Sequence, residues 1–133
     1  ALTVADYSGL SPKTTATPAA LARLTQHLAK TTPTVFDITT LPQYVGHQPL
    51  VNHSPFIEDG DYAGGKHGYT PEAGRTAVVR FRTTYEDGER TLVAVLLGTD
   101  DSKAALKALK TALEGSVTRV PQSGGDSAIL PAS

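Results

Sequence analysis

Apolar residues recur along this chain with two different periods. Leu21, Leu24 and Leu28 stand at i, i+3 and i+7, and Leu106, Leu109 and Leu113 repeat that spacing. Such spacing predicts two helices with one apolar stripe each. Thr17-Pro18 supplies an N-cap and first helical residue for the first, and Thr31-Thr32-Pro33 its end near Lys30, because a residue before Pro avoids the α region. His27 lies beside the stripe and reads as a helix-surface residue. The second helix takes its cap from Asp100-Asp101-Ser102 and its stop from Gly115. Between them Ala77, Val79 and Phe81 alternate with Val78, Arg80 and Arg82, the pattern of a strand with one face buried; Arg80 and Arg82 share the other face and read as solvated. Asp87-Gly88 marks a hairpin turn. Thr91–Leu97 is apolar on both faces, which predicts an interior strand covered by helices.

Elsewhere the pattern weakens. Ala1–Val4 reads as a short strand or the end of one before the Ser8-Gly9-Leu10 turn. Pro33, Pro42, Pro49 and Pro55 break up residues 33–63, where Val35–Ile38 and His47–Val51 read as short strands or a small lobe. Residues 116–133, rich in Ser, Gly and Pro, read as a flexible tail after a domain spanning 1–115. One clear hairpin and two amphipathic helices cover Thr91–Leu97 poorly, so an exposed apolar patch and a partner are expected.

Composition narrows the classes. A chain of 133 residues fits one domain, and 12 Lys+Arg against 13 Asp+Glu, scattered, indicate no nucleic-acid partner. The longest apolar run, Leu92–Leu97, falls far short of the ~18–20 residues that cross a bilayer, so no membrane span is expected. Cysteine is absent, which excludes disulfides, thiolate metal sites and a Cys nucleophile. His47 and His53 fit no metal-ligand spacing, and no metal or other cofactor is expected. Met is absent even at position 1, so the numbering is expected to begin inside a longer gene product.

Candidate chemistry gathers in Gly64-Gly65-Lys66-His67-Gly68-Tyr69-Thr70-Pro71-Glu72-Ala73-Gly74, where four glycines surround a lysine and a histidine. Glycine lets a ligand approach the main chain, and a cation on such a strand can hold an anion. The segment resembles the Lys-Thr-Gly strand of serine D-alanyl-D-alanine carboxypeptidases, the low-molecular-weight penicillin-binding proteins. Asp6-Tyr7-Ser8-Gly9-Leu10-Ser11 is similar to that family's Asp-Pro-Ser-Gly-Leu-Ser turn, Asn52-His53-Ser54-Pro55-Phe56 to its Asn-Thr-Asn segment, and Thr91–Gly98 to its last strand. The resemblance runs over roughly residues 4–114 in the family's order.

The resemblance implies an α/β (α+β) fold of the β-lactamase/transpeptidase-like kind: an antiparallel sheet with packed helices, here an incomplete domain corresponding to the C-terminal half. It implies acyl transfer to a serine of a Ser-x-x-Lys pair, aided by a Ser-x-Asn loop and by an oxyanion hole. This chain has no Ser or Thr with Lys three residues later, and Leu50 stands two before its one asparagine, Asn52. Ser8 and Ser11 read as turn residues and Ser102 as a cap, so no catalytic residue is assigned. The resemblance gives Lys66, His67, Gly68 and Tyr69 as substrate-binding: Lys66 for a carboxylate, Gly68 for close approach, Tyr69 for a backbone N–H. Thr70 and Glu72 lie at the rim or simply hold the turn. His67 stands where the family has a hydroxyl, which leaves a modified working site, a decayed one or a different ligand open.

The expected function is part of an extracytoplasmic carboxypeptidase acting on peptidoglycan stem peptides, or binding β-lactams, with the nucleophile in a missing N-terminal half. A non-catalytic cell-wall or peptide-binding module and a small stand-alone α/β domain are the alternatives.

Overall fold

The structure, a computed structural model, describes residues 1–85, 87–116 and 130–132. It is an α+β fold built on one antiparallel sheet. Strand β5 (Tyr62–Thr70), β6 (Gly74–Tyr85), β7 (Gly88–Thr99) and β8 (Leu130–Ala132) lie in the order β5-β6-β7-β8. Two hairpins make its body: Thr70 faces Gly74 at the first turn and Tyr85 faces Gly88 at the second, where Asp87-Gly88 was expected to turn.

Both faces of β7 are covered, because alternate side chains of an apolar strand each need a partner layer. Leu92, Ala94 and Leu96 join Ala77, Val79, Phe81, Phe56 and Tyr62 in one cluster, closed by Leu106 of helix α3 (Ser102–Ser116) with Leu109 and Leu113 at its margin. Val93 and Val95 face the other way, onto Ala22 of helix α1 (Pro18–Thr31), with Leu21 and Val78 alongside. Thr17 caps α1, its Oγ1 accepting from the Ala20 N–H at 3.3 Å. Asp101 caps α3, its Oδ1 accepting from the Ala104 N–H at 3.0 Å. Helix α3 runs through Gly115 rather than stopping before it.

The buried stripe of α1 departs from the leucine spacing. Leu24 is 39% exposed, while Ala22 and Thr25 are buried. Small side chains let the helix lie close on β7, and Thr25 disposes of its hydroxyl by donating to the Leu21 carbonyl at 2.8 Å. Arg80 also departs from the solvated reading. Its Nη1 donates to the Ala63 carbonyl at 3.2 Å and its guanidinium lies 4.4 Å over the Phe36 ring, with Nε buried and unpartnered. Arg82 stays exposed yet donates to the Gly60 carbonyl at 3.0 Å. The two arginines tie the start of β5 to its neighbour strand.

Residues 33–63 form a small lobe. Val35–Ile38 is helical, inside α2 (Thr34–Thr39), with Pro33 just before its first turn where a missing N–H leaves no bond unmade. Strands β3 (Gln43–Tyr44) and β4 (Leu50–Val51) pair as a short hairpin. Asn52 holds its base: Nδ2 donates to the Thr39 and Leu41 carbonyls at 2.8 and 3.0 Å, and its N–H donates to Pro42 at 2.9 Å. Every residue from Leu41 to Val51 is exposed, including Leu41, Tyr44, Val45, Leu50 and Val51. The poor cover expected for Thr91–Leu97 is not found, since Leu92–Leu96 are buried by helices on both faces; the exposed apolar surface lies on this hairpin instead.

At the N-terminus β1 (Leu2–Thr3) pairs with β2 (Thr15–Ala16). Asp6 organises the loop between them, accepting from Ser8, Thr14 and the N–H groups of Leu10 and Ser11, and these bonds lower its pKa. Of the expected tail, residues 117–129 and 133 lie outside the described residues, and Leu130–Ala132 pair with Thr91–Val93.

One leucine on which sequence and structure agree, Leu106, and one on which they disagree, Leu24, provide a test. Leu106→Ala is expected to destabilise the chain by about 2–5 kcal/mol, as for a buried leucine, and Leu24→Ala by less than ~1 kcal/mol, measured by chemical denaturation. Equal losses would contradict the described seating of α1.

Candidate functional site

Strand β5 is an edge strand, and its irregular start decides what that edge presents. A bulge between Tyr62 and Gly65 places Gly64 at φ 96°. A Cβ there would lie 2.7 Å from the Phe36 carbonyl oxygen and 2.8 Å from Thr39 Oγ1, so only glycine fits against α2. At Gly65 a Cβ would lie 2.2 Å from the Val78 carbonyl oxygen. These two glycines are therefore demanded by the fold.

The Gly65 N–H turns away from β6 and donates to Thr39 Oγ1 at 3.0 Å. Main-chain groups of a strand point the same way at every second residue, so those of His67 and Tyr69 also point off the free edge. Two bonds agree: the His67 carbonyl accepts from the Lys66 ammonium, while the Gly68 carbonyl, on the β6 side, accepts from Thr76 Oγ1 at 3.4 Å. Past the cover given by α2, the edge offers the N–H groups of His67 and Tyr69 and the Tyr69 carbonyl, the His67 carbonyl being engaged by Lys66.

The pleat separates the side chains. Lys66 pairs with Val78 and His67 with Ala77, which belong to opposite faces of the sheet. Lys66 is exposed and reaches the edge only by folding its ammonium onto the His67 carbonyl. Tyr69 is 64% exposed, with the Arg75 guanidinium 5.6 Å from its ring. Gly68 differs from Gly64 and Gly65: a Cβ on it would meet only Thr76 Oγ1 at 3.6 Å, an ordinary contact. Nothing in the chain's own packing calls for glycine there.

His67 is partly buried at a cavity of about 630 Å³ that lies between the β5–β6 hairpin, the 53–55 segment and the start of α3. Desolvation lowers its pKa below the usual 6.5, and the charges of Lys66 and His53 lower it further. His53 is thus a neighbour that spacing along the chain did not reveal; what brings it in is the Asn52 tether and the buried Phe56. His47 lies apart on the exposed hairpin, and no group of three or more metal-ligating side chains forms among the described residues. Thr70 Oγ1 accepts from the Ala73 N–H at 3.1 Å and so holds the turn, and Glu72 is exposed on it.

Four serines are occupied structurally. Ser8 donates to Asp6, Ser11 accepts from the Lys13 N–H, Ser54 accepts from the Phe56 N–H, and Ser102 is buried beside Thr99. Among the described residues no serine hydroxyl is bonded to a lysine or histidine side chain.

No known protein family and no curated protein matches the chain by sequence. In three dimensions it is similar to a peptidoglycan synthesis regulatory factor, PBP3, from Streptococcus pneumoniae, with a TM-score of 0.54 and 23% identity over 85% of this chain. The chain spans 38% of the length of that structure, and the likeness shows the fold alone.

Two measurements follow from this geometry. Gly65→Ala is expected to destabilise the chain by more than ~2 kcal/mol, whereas Gly68→Ala should change stability by less than ~1 kcal/mol, in either direction. The second concerns pH. A histidine whose folded pKa lies below its unfolded value favours the folded state fully above pH ~6.5, and that contribution is lost as pH falls through the lower folded value. His67→Gln should therefore flatten the loss of stability below pH ~6.5, read from denaturation midpoints between pH 8 and 5; an unchanged slope would contradict the described burial of His67.

Proposed function

We propose that this chain is the second half of a serine D-alanyl-D-alanine carboxypeptidase-like domain that works on peptidoglycan stem peptides. It contributes the strand Lys66-His67-Gly68-Tyr69, and the nucleophile lies outside it. The observation that carries this reading is the free edge of β5, where the main-chain groups of His67 and Tyr69 face outward beside the Lys66 ammonium. An extended peptide can pair with such an edge, with its terminal carboxylate against a cation. The spare room at Gly68 supports the same reading, since glycine there serves a close approach from outside. The printed description of the structural neighbour, a peptidoglycan synthesis regulatory factor, supports the substrate class and an extracytoplasmic location.

His67 then acts as a switchable donor in place of a hydroxyl. Protonated, it adds charge to the carboxylate site; neutral, it offers only one N–H. Its lowered pKa implies that carboxylate binding weakens as pH rises from 5.5 to 8, most of the change falling below pH ~6.5.

A second reading, a non-catalytic peptide-binding module of the cell wall, is favoured by the serine geometry: the hydroxyls of Ser8, Ser11, Ser54 and Ser102 are each bonded within their own turn or buried. Intact mass of the natively produced protein, before and after incubation with a labelled penicillin, separates the two. A larger product that gains one covalent adduct is expected if an acylating serine lies upstream. A product of about this length, folded and unlabelled, would leave the binding module.

A further inference from the structure

The hairpin of β3 and β4 is held in a fixed pose, yet it lies in solvent. Asn52 spends its side chain at the hairpin base: Nδ2 donates to the Thr39 and Leu41 carbonyls, and Oδ1 accepts from the Ser54 N–H at 2.9 Å. At the turn the Tyr44 ring lies over Gly46, where a Cβ would come within 2.6 Å of Tyr44 Cε1. Every residue from Leu41 to Val51 is nonetheless exposed. Tyr44 pairs with Leu50 and Gln43 with Val51, and successive residues of a strand point to opposite faces. Exposed apolar side chains therefore stand on both sides of the hairpin, Tyr44 with Leu50 on one and Val51 on the other.

Charge is missing from the same stretch. Residues 38–57, between Asp37 and Glu58, contain no Asp, Glu, Lys or Arg in a chain that is 19% charged. Exposed apolar surface without charge, carrying a tyrosine, has the composition of an interface core rather than of a solvated loop. A flat partner would cover one face; a cleft covers both. The chain spans 38% of the length of its structural neighbour, so more than half of that neighbour lies outside the match and gives the measure of the body available to form a cleft.

We infer that the hairpin Gln43–Val51 inserts into an apolar, uncharged cleft on the other half of the domain. The inference rests on the reading that this chain is a second half, and it adds the place where the two halves lock together. Ionised groups lining the cleft would be buried without partners against this hairpin, so the lining is neutral.

Val45, 77% exposed, supplies the readout. Val45→Cys places a thiol in a chain that has no cysteine, and its alkylation by a maleimide is followed by peptide mass. In the natively produced longer protein, position 45 is expected to react about tenfold or more slowly than in the 133-residue chain, because a buried thiol reacts only on opening. Val45→Asp should lower the denaturation midpoint of the longer protein and leave that of the 133-residue chain unchanged. A longer protein alkylated at position 45 as fast as the 133-residue chain would overturn the docking site and leave the second-half reading in place. A native product of about this length would overturn both. Slow alkylation of the 133-residue chain that quickens on dilution would put a second copy on the hairpin, and that too would overturn the inference.

Discussion

Strand β7 has no polar face to give to solvent, and the rest of the architecture follows from that. Its Leu92, Ala94 and Leu96 bury against α3 and the Phe56–Tyr62 region, while Val93 and Val95 bury against α1. A helix is thereby fixed on each side of the sheet. Once α3 lies on β7, Lys110 reaches Asp61 at 2.6 Å with its ammonium 4.9 Å from the Phe81 ring, which fastens the segment leading into β5. The position of the candidate site is in this sense a consequence of core packing two strands away.

From that anchor, the edge is shaped by a chain of close contacts rather than by the lysine itself. Gly64 and Gly65 allow α2 to sit against the start of β5; Thr39 then takes the Gly65 N–H, and the two-residue repeat turns His67 and Tyr69 outward. Edge strands usually carry devices that discourage pairing with another chain. Here α2 covers the first part of the edge, and among the described residues the remainder carries only the Lys66 ammonium. A strand kept open next to a covered stretch is what peptide capture by strand addition needs.

Local signals carried the regular elements into view. Thr17-Pro18, the Asp101 cap, Asp87-Gly88 and the alternation through Phe81 each act over a few residues, and each stands where its chemistry puts it. The misreadings concern tertiary context. Leu24 has the right spacing, but α1 meets β7 through Ala22 with Leu21 beside it, and Thr25 rather than Leu24 is buried. Arg80 looked solvated since nothing in the alternating pattern shows that Phe36 and Ala63 would close over it. At the site, Lys66 and His67 were legible as a pair, yet their opposite faces and the arrival of His53 depend on how the 52–56 segment folds back.

The exposed lobe bears on the same question from another side. Leu41, Tyr44, Val45, Leu50 and Val51 all lie in solvent on a hairpin with only two residues in each strand, which has little stability of its own. Asn52 and Thr39 connect that hairpin directly to the open edge: Asn52 bonds the Thr39 carbonyl, and Thr39 Oγ1 bonds Gly65. A body that buried the apolar hairpin would therefore stand near α2 and the covered start of β5. The proposed other half of the domain has to do both things, covering apolar surface and bringing a nucleophile to the β5 edge. The hairpin base and the start of β5 are joined through Thr39, so a single partner packed there would begin to meet both requirements, whereas a stand-alone binding module would have to leave the hairpin wet.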